Sequence, residues 1–130
     1  MRFILLDGDE ESDWTKFLAD ALAPLGTLRV ARAGEWMRLE GDEPDGLILI
    51  DATAVENVEE LVSSLRLERP ARRIVVMTAS PTWRRARAAF EAGAIDYLHK
   101  TLSWDELRKA FEQILDRPAP PWPGSDQNKG

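Results

Sequence analysis

At 130 residues the chain is long enough to bury one hydrophobic core and short for two ordinary domains. Its 44% hydrophobic and 31% charged residues are those of a globular protein, and a formal net charge of -6 argues against general affinity for nucleic-acid phosphates, which rests on clustered Lys and Arg. With no cysteine and His99 as the sole histidine, disulfides, thiolate nucleophiles, thiolate metal sites and multi-histidine metal sites are excluded.

Phe3–Leu6 is a short, uninterrupted apolar run that predicts a first strand covered on both faces. Trp14, Phe17, Leu18, Ala21, Leu22 and Leu25 then fall at helical spacing, with Ser12 as the expected N-cap and Gly26 as the expected stop. Leu28–Val30 predicts a second strand, and its flanking Arg29 and Arg32 suit a sheet edge. A short helix is expected around Gly34–Glu40, a third strand at Leu47–Ile50, and a helix whose stripe joins Val55, Val58, Leu61, Val62 and Leu65. Ile74–Met77 predicts the fourth strand, Pro81–Glu91 a helix with proline at its start, and Ile95–Leu98 the fifth strand. Trp104, Leu107, Phe111 and Ile114 behind Ser103 predict the last helix. From Arg117 onward Pro118, Pro120, Pro121 and Pro123 predict a Pro-rich tail or linker over 117–130, leaving 1–116 as the domain. Strands alternating with helices imply right-handed crossovers, so the expected class is α/β with a doubly wound five-stranded parallel sheet and helices on both faces. No apolar run approaches the roughly 18 residues that cross a bilayer, and the chain opens on a strand-like segment rather than a signal peptide; a cytoplasmic location is the expectation.

In an open parallel sheet the ligand crevice lies beyond the carboxyl ends of the strands. Asp7 follows the first apolar run, Asp51 the third and Thr78 the fourth, and Lys100 comes just after the fifth. Clustered carboxylates suit a hard cation such as Mg²⁺, one carboxylate can act as a nucleophile toward a phosphoryl group, and a hydroxyl with an ammonium would stabilise charge on the transferring oxygens.

The segments Phe3-Ile4-Leu5-Leu6-Asp7-Gly8-Asp9-Glu10, Leu47-Ile48-Leu49-Ile50-Asp51, Val75-Val76-Met77-Thr78-Ala79 and Ala92-Gly93-Ala94-Ile95-Asp96-Tyr97-Leu98-His99-Lys100 resemble the receiver domain of two-component response regulators. The likeness spans roughly residues 1–116. It implies a flavodoxin-like fold with strand order 2-1-3-4-5. By the same resemblance Asp51 is the phosphoacceptor, Thr78 and Lys100 contact the phosphoryl oxygens, and Asp7, Asp9 and Asp51 hold Mg²⁺. Thr78 and Tyr97 form the switch, with Tyr97 moving between exposed and buried states. Implied partners are a histidine kinase or phosphotransfer protein upstream, and downstream a protein or a second copy of the chain. The downstream contact would use the Trp83–Arg87 helix with the fifth strand and the last helix. No nucleic-acid or membrane contact is implied, nor any enzymatic activity beyond self-catalysed phosphotransfer and dephosphorylation.

Three positions depart from the receiver pattern. Gly8 stands where a second acid is usual, Ala52-Thr53-Ala54-Val55 replaces the usual turn after the acceptor, and Thr101 replaces the proline whose cis bond normally follows the lysine. A non-proline cis bond costs about 3–4 kcal/mol and is not expected here. These departures favour an alternative, a pseudo-receiver that keeps the docking face without taking phosphate. A phosphohydrolase or flavin-binding protein of similar topology fits less well, since Thr53 stands where such a phosphohydrolase would carry its second acid and no glycine-rich phosphate loop is present. The basic stretch Trp83, Arg84, Arg85 and Arg87 reads as a docking face or as a solvated helix surface.

Overall fold

The computed structural model describes residues 1–32, 46–53, 57–100 and 103–118. The helix expected at Gly34–Glu40, the start of the Val55 stripe, Thr101 and the tail beyond Pro118 lie outside the described residues.

Five strands, β1 (Arg2–Leu6), β2 (Thr27–Ala31), β3 (Gly46–Asp51), β4 (Arg73–Thr78) and β5 (Asp96–His99), form one parallel sheet in the order β2-β1-β3-β4-β5. The three uninterrupted apolar runs are its central strands and are buried on both faces, whereas β2 and β5 are half-exposed edges. Since side chains alternate across a strand, Phe3, Leu5, Leu47, Leu49, Val75 and Met77 enter one core layer, and Ile4, Leu6, Ile48, Ile50, Ile74 and Val76 enter the other. Each such residue contributes about 1.5–3 kcal/mol by leaving water.

Helices α1 (Asp13–Leu22) and α4 (Trp104–Leu115) cover the first layer, with Leu18, Leu22, Leu107, Phe111 and Ile114 buried there. Phe111 meets Phe3 edge-on at 5.7 Å between ring centroids. Helices α2 (Val58–Glu68) and α3 (Trp83–Ala92) cover the second through Val62, Leu65, Ala89 and Ala92. Ser12 caps α1 by accepting from the Thr15 N–H, as expected. Ser103 and Glu106 form a reciprocal capping box on α4, and the Ser103 side chain, then its backbone N–H, hold the Glu106 carboxyl below the usual glutamate range.

Two local expectations are corrected. Helix α1 ends at Leu22 and not beside Gly26; Leu25 packs against the core from the turn that follows. Gly26 is needed for close approach instead, because a Cβ there would sit 2.1 Å from the Met1 carbonyl oxygen, beside the Thr27 N–H bond to that same oxygen. Pro81 precedes the Thr82 N-cap of α3 rather than opening the helix. The left-handed C-cap is Gly93, at φ 117° after α3, where any Cβ would be strained.

Candidate phosphoacceptor site

Parallel pairing in register brings the ends of β3, β4 and β5 to one edge: Asp51 pairs with Met77, Thr78 with His99, and the Lys100 N–H donates to the Thr78 carbonyl at 2.8 Å. Asp51 is buried to 8% exposure, so its carboxylate needs compensation. It has it on both oxygens. The Lys100 ammonium donates to Oδ2 at 2.8 Å, and the Thr53 N–H donates to Oδ1 at 2.9 Å. The turn itself is pinned by the Ala52 N–H bond to the Met77 carbonyl. Thr78 is buried beside this pair, its hydroxyl oxygen accepting from the Ser80 N–H at 3.1 Å. Asp51, Thr78 and Lys100 therefore converge as the strand-end spacing predicts.

The expected metal set does not assemble in this arrangement. Among the described residues no group of three or more His, Asp or Glu side chains is placed to hold one cation. Asp7 is the one described non-glycine residue with positive φ, 55°; its N–H donates to the Ala31 carbonyl, and its side chain borders a shallow depression with Asn57, Glu60, Leu61 and Ser64. Asp9 is exposed and works locally, its Oδ1 accepting from the Glu11 N–H at 2.9 Å and its carbonyl from the Ser12 N–H. Mg²⁺ bound by Asp7, Asp9 and Asp51 together would require a rearrangement that brings the three carboxylates to one point.

Gly8 is held by packing. A Cβ on it would lie 2.5 Å from Leu5 Cδ2 and 2.8 Å from Cγ, and Leu5 is fully buried. Restoring the acid as Gly8→Asp should therefore destabilise the fold by about 1–3 kcal/mol through overpacking. Urea unfolding measures this, and a variant as stable as the wild type would show that the loop relaxes freely.

Tyr97 is half-buried on β5, with its hydroxyl buried and without a hydrogen-bond partner among the described residues. It lines a cavity of about 170 Å³ with Ala52, Val58, Glu59, Val76, Arg85 and Ala89, next to the turn that follows Asp51. One participant was not anticipated as such: Trp14, read as part of the α1 stripe, lies with its ring centroid 4.2 Å from the Lys100 ammonium. No periodicity distinguishes such a residue from an ordinary core tryptophan.

The backbone arrangement is shared with solved structures. A response regulator from Thermotoga maritima superposes with a TM-score of 0.76 at 23% identity, over 89% of this chain and 98% of its own. The fold is that of a response-regulator receiver domain. An atypical orphan response regulator, described as having a phosphorylation-independent regulatory mechanism, has the same receiver fold, with a TM-score of 0.70 at 22% identity over 92% of this chain and all of its own. In sequence, the DNA-binding transcriptional regulator NtrC of Azospirillum brasilense is 32% identical over 120 residues, which is 90% of this receiver-like chain. The chain spans 25% of that relative's length. No protein-family model matches. Among the described residues no helix is long and apolar enough to cross a membrane.

Proposed function

We propose that this chain is a receiver module that accepts a phosphoryl group on Asp51 from a phosphohistidine of a kinase or phosphotransfer protein, in the cytoplasm, and signals through protein contacts. The observation that carries this reading is the Asp51 carboxylate held at the end of β3 by Lys100, with buried Thr78 at the end of the adjacent strand β4. In the transfer, an Asp51 oxygen attacks phosphorus, the P–N bond to the donor imidazole breaks, and the imidazole leaves with the electron pair. The Lys100 ammonium and the Thr78 hydroxyl then stabilise the charge on the phosphoryl oxygens. When the Thr78 hydroxyl turns to the new phosphoryl group it gives up its Ser80 contact, and the nearby cavity lets the Tyr97 ring settle further inward. No other catalytic activity is part of the reading.

The test is incubation with acetyl phosphate, with and without Mg²⁺. The wild type should gain one base-labile, hydroxylamine-sensitive phosphoryl group at Asp51, and Asp51→Ala none. Labelling that persists in Asp51→Ala overturns the assignment.

The dispersed loop carboxylates favour one second reading, a phosphorylation-independent module, as described for the orphan regulator of similar fold. In that case no phosphoryl group is gained under either condition.

The output face in both readings is formed by α3, the edge strand β5 and α4. Trp83 is 75% exposed and Phe90 47%, Arg84, Arg85 and Arg87 are exposed, and the Arg87 guanidinium lies over the Trp83 ring at 5.4 Å. This chemistry suits an acidic protein surface, and at a net charge of -6 a second copy of the chain is the occupant to test. Sedimentation velocity should show salt-sensitive self-association, weakened in an Arg84→Glu, Arg85→Glu double variant. Association that is unchanged in the variant contradicts it.

A further inference from the structure

We infer that Trp14 is a positioning residue for Lys100, its ring face and the Asp51 carboxylate holding the ammonium between them. The inference deepens the proposed function and rests on it for its kinetic consequence. The Lys100 ammonium donates to Asp51 Oδ2 at 2.8 Å and lies 4.2 Å from the Trp14 ring centroid, so the carboxylate and the aromatic face share one cation. The lysine side chain is 16% exposed, and a flexible four-carbon stem so enclosed has few alternative rotamers.

The orientation of Trp14 supports this role over simple packing. Its indole Nε1 is buried and has no hydrogen-bond partner among the described residues, although a buried indole N–H ordinarily finds an acceptor. The ring is held in a pose that presents its face to Lys100. The pose is set from the helix terminus: Trp14 lies in the first turn of α1, between the Ser12 cap and Thr15, whose N–H donates to the Ser12 hydroxyl and whose own hydroxyl oxygen accepts from it. Trp14 also packs against the core layer that contains Leu18 and Leu107.

A lysine already aimed at the acceptor stabilises charge without reorganising as the phosphoryl group arrives. Loss of the aromatic face should therefore slow acceptance by about 2- to 30-fold, the range a cation–π contact of this kind supports.

Three variants and two readouts test it. Trp14→Leu should slow phosphoryl acceptance from acetyl phosphate, Trp14→Phe should restore most of the rate, and in a Lys100→Ala background Trp14→Leu should have no further effect. Independently of any phosphorylation, the Lys100 Cε protons of the resting protein should be shifted upfield by the indole ring current, and Trp14→Leu should return them to ordinary lysine values. Ordinary Lys100 shifts in the folded wild type overturn the inference. So do equal rates for Trp14→Leu and the wild type, or additive effects of Trp14→Leu and Lys100→Ala. A wild type that takes no phosphate yet shows the upfield shift refutes the acceptor reading and leaves the positioning of Lys100 standing.

Discussion

Arg66→Ala should destabilise the protein by about 2–5 kcal/mol, as much as emptying a core position. Arg66 is wholly inaccessible to solvent in the second half of α2, and its Nη1 donates to the Gly93 carbonyl. That carbonyl belongs to the left-handed C-cap of α3, so one side chain ties the end of α3 to the body of α2. Burial holds the guanidinium below its ordinary arginine pKa, the mark of a charge taken out of water. Truncation to alanine would leave both a void and a buried carbonyl without its donor. Arg66→Met, which fills most of the volume, should lose less, because a desolvated charge stabilises little by itself. Urea unfolding followed by circular dichroism separates the two variants. A loss below about 0.5 kcal/mol for Arg66→Ala would mean that α2 and α3 hold each other without it.

Lys100→Ala should slow phosphoryl acceptance by about 10²- to 10³-fold, the usual consequence of removing one group that faces developing charge in a dry site. The ammonium is the only cation given to the Asp51 carboxylate among the described contacts, and Thr78 can supply a hydrogen bond but no charge. The helices and core layers do not depend on Lys100, so the far-ultraviolet circular dichroism should stay that of the wild type. Rates from acetyl phosphate, compared at equal folded fraction, provide the measurement. A Lys100→Ala chain that is labelled as fast as the wild type would remove the lysine from the chemistry.

The sheet was legible wherever burial on both faces leaves no polar interruption. Phe3–Leu6, Leu47–Ile50 and Ile74–Met77 are the cores of β1, β3 and β4, and the alternation of helix and strand sufficed for a doubly wound parallel sheet, whereas the order β2-β1-β3-β4-β5 came with the receiver resemblance. Edges were less sharp: β5 begins at Asp96 and reaches His99, one residue beyond the apolar run. Arg66 was hidden because residue type outvoted position. It follows Val62 by one helical turn and so faces inward, while Leu67 beside it is 71% exposed. The convergence of Asp51, Thr78 and Lys100 followed from strand ends alone, since parallel register fixes where those residues stand. The direction of Asp7 and Asp9 did not follow, because a loop carboxylate points where its backbone dihedrals send it, and a left-handed Asp7 cannot be read from an Asp-Gly-Asp string. Trp14 is a third kind of case, a helix-stripe residue whose neighbour comes from 86 positions later in the chain, across the sheet edge.

The most direct test of an acceptor pocket at Asp51 is a ¹H–¹⁵N NMR titration with beryllofluoride and Mg²⁺, run on the wild type and on Asp51→Ala. Saturable shifts centred on Asp51, Thr78 and Lys100 and spreading to Tyr97, all lost in Asp51→Ala, are the predicted result. A wild-type spectrum that does not respond, or one that responds identically in Asp51→Ala, would contradict it.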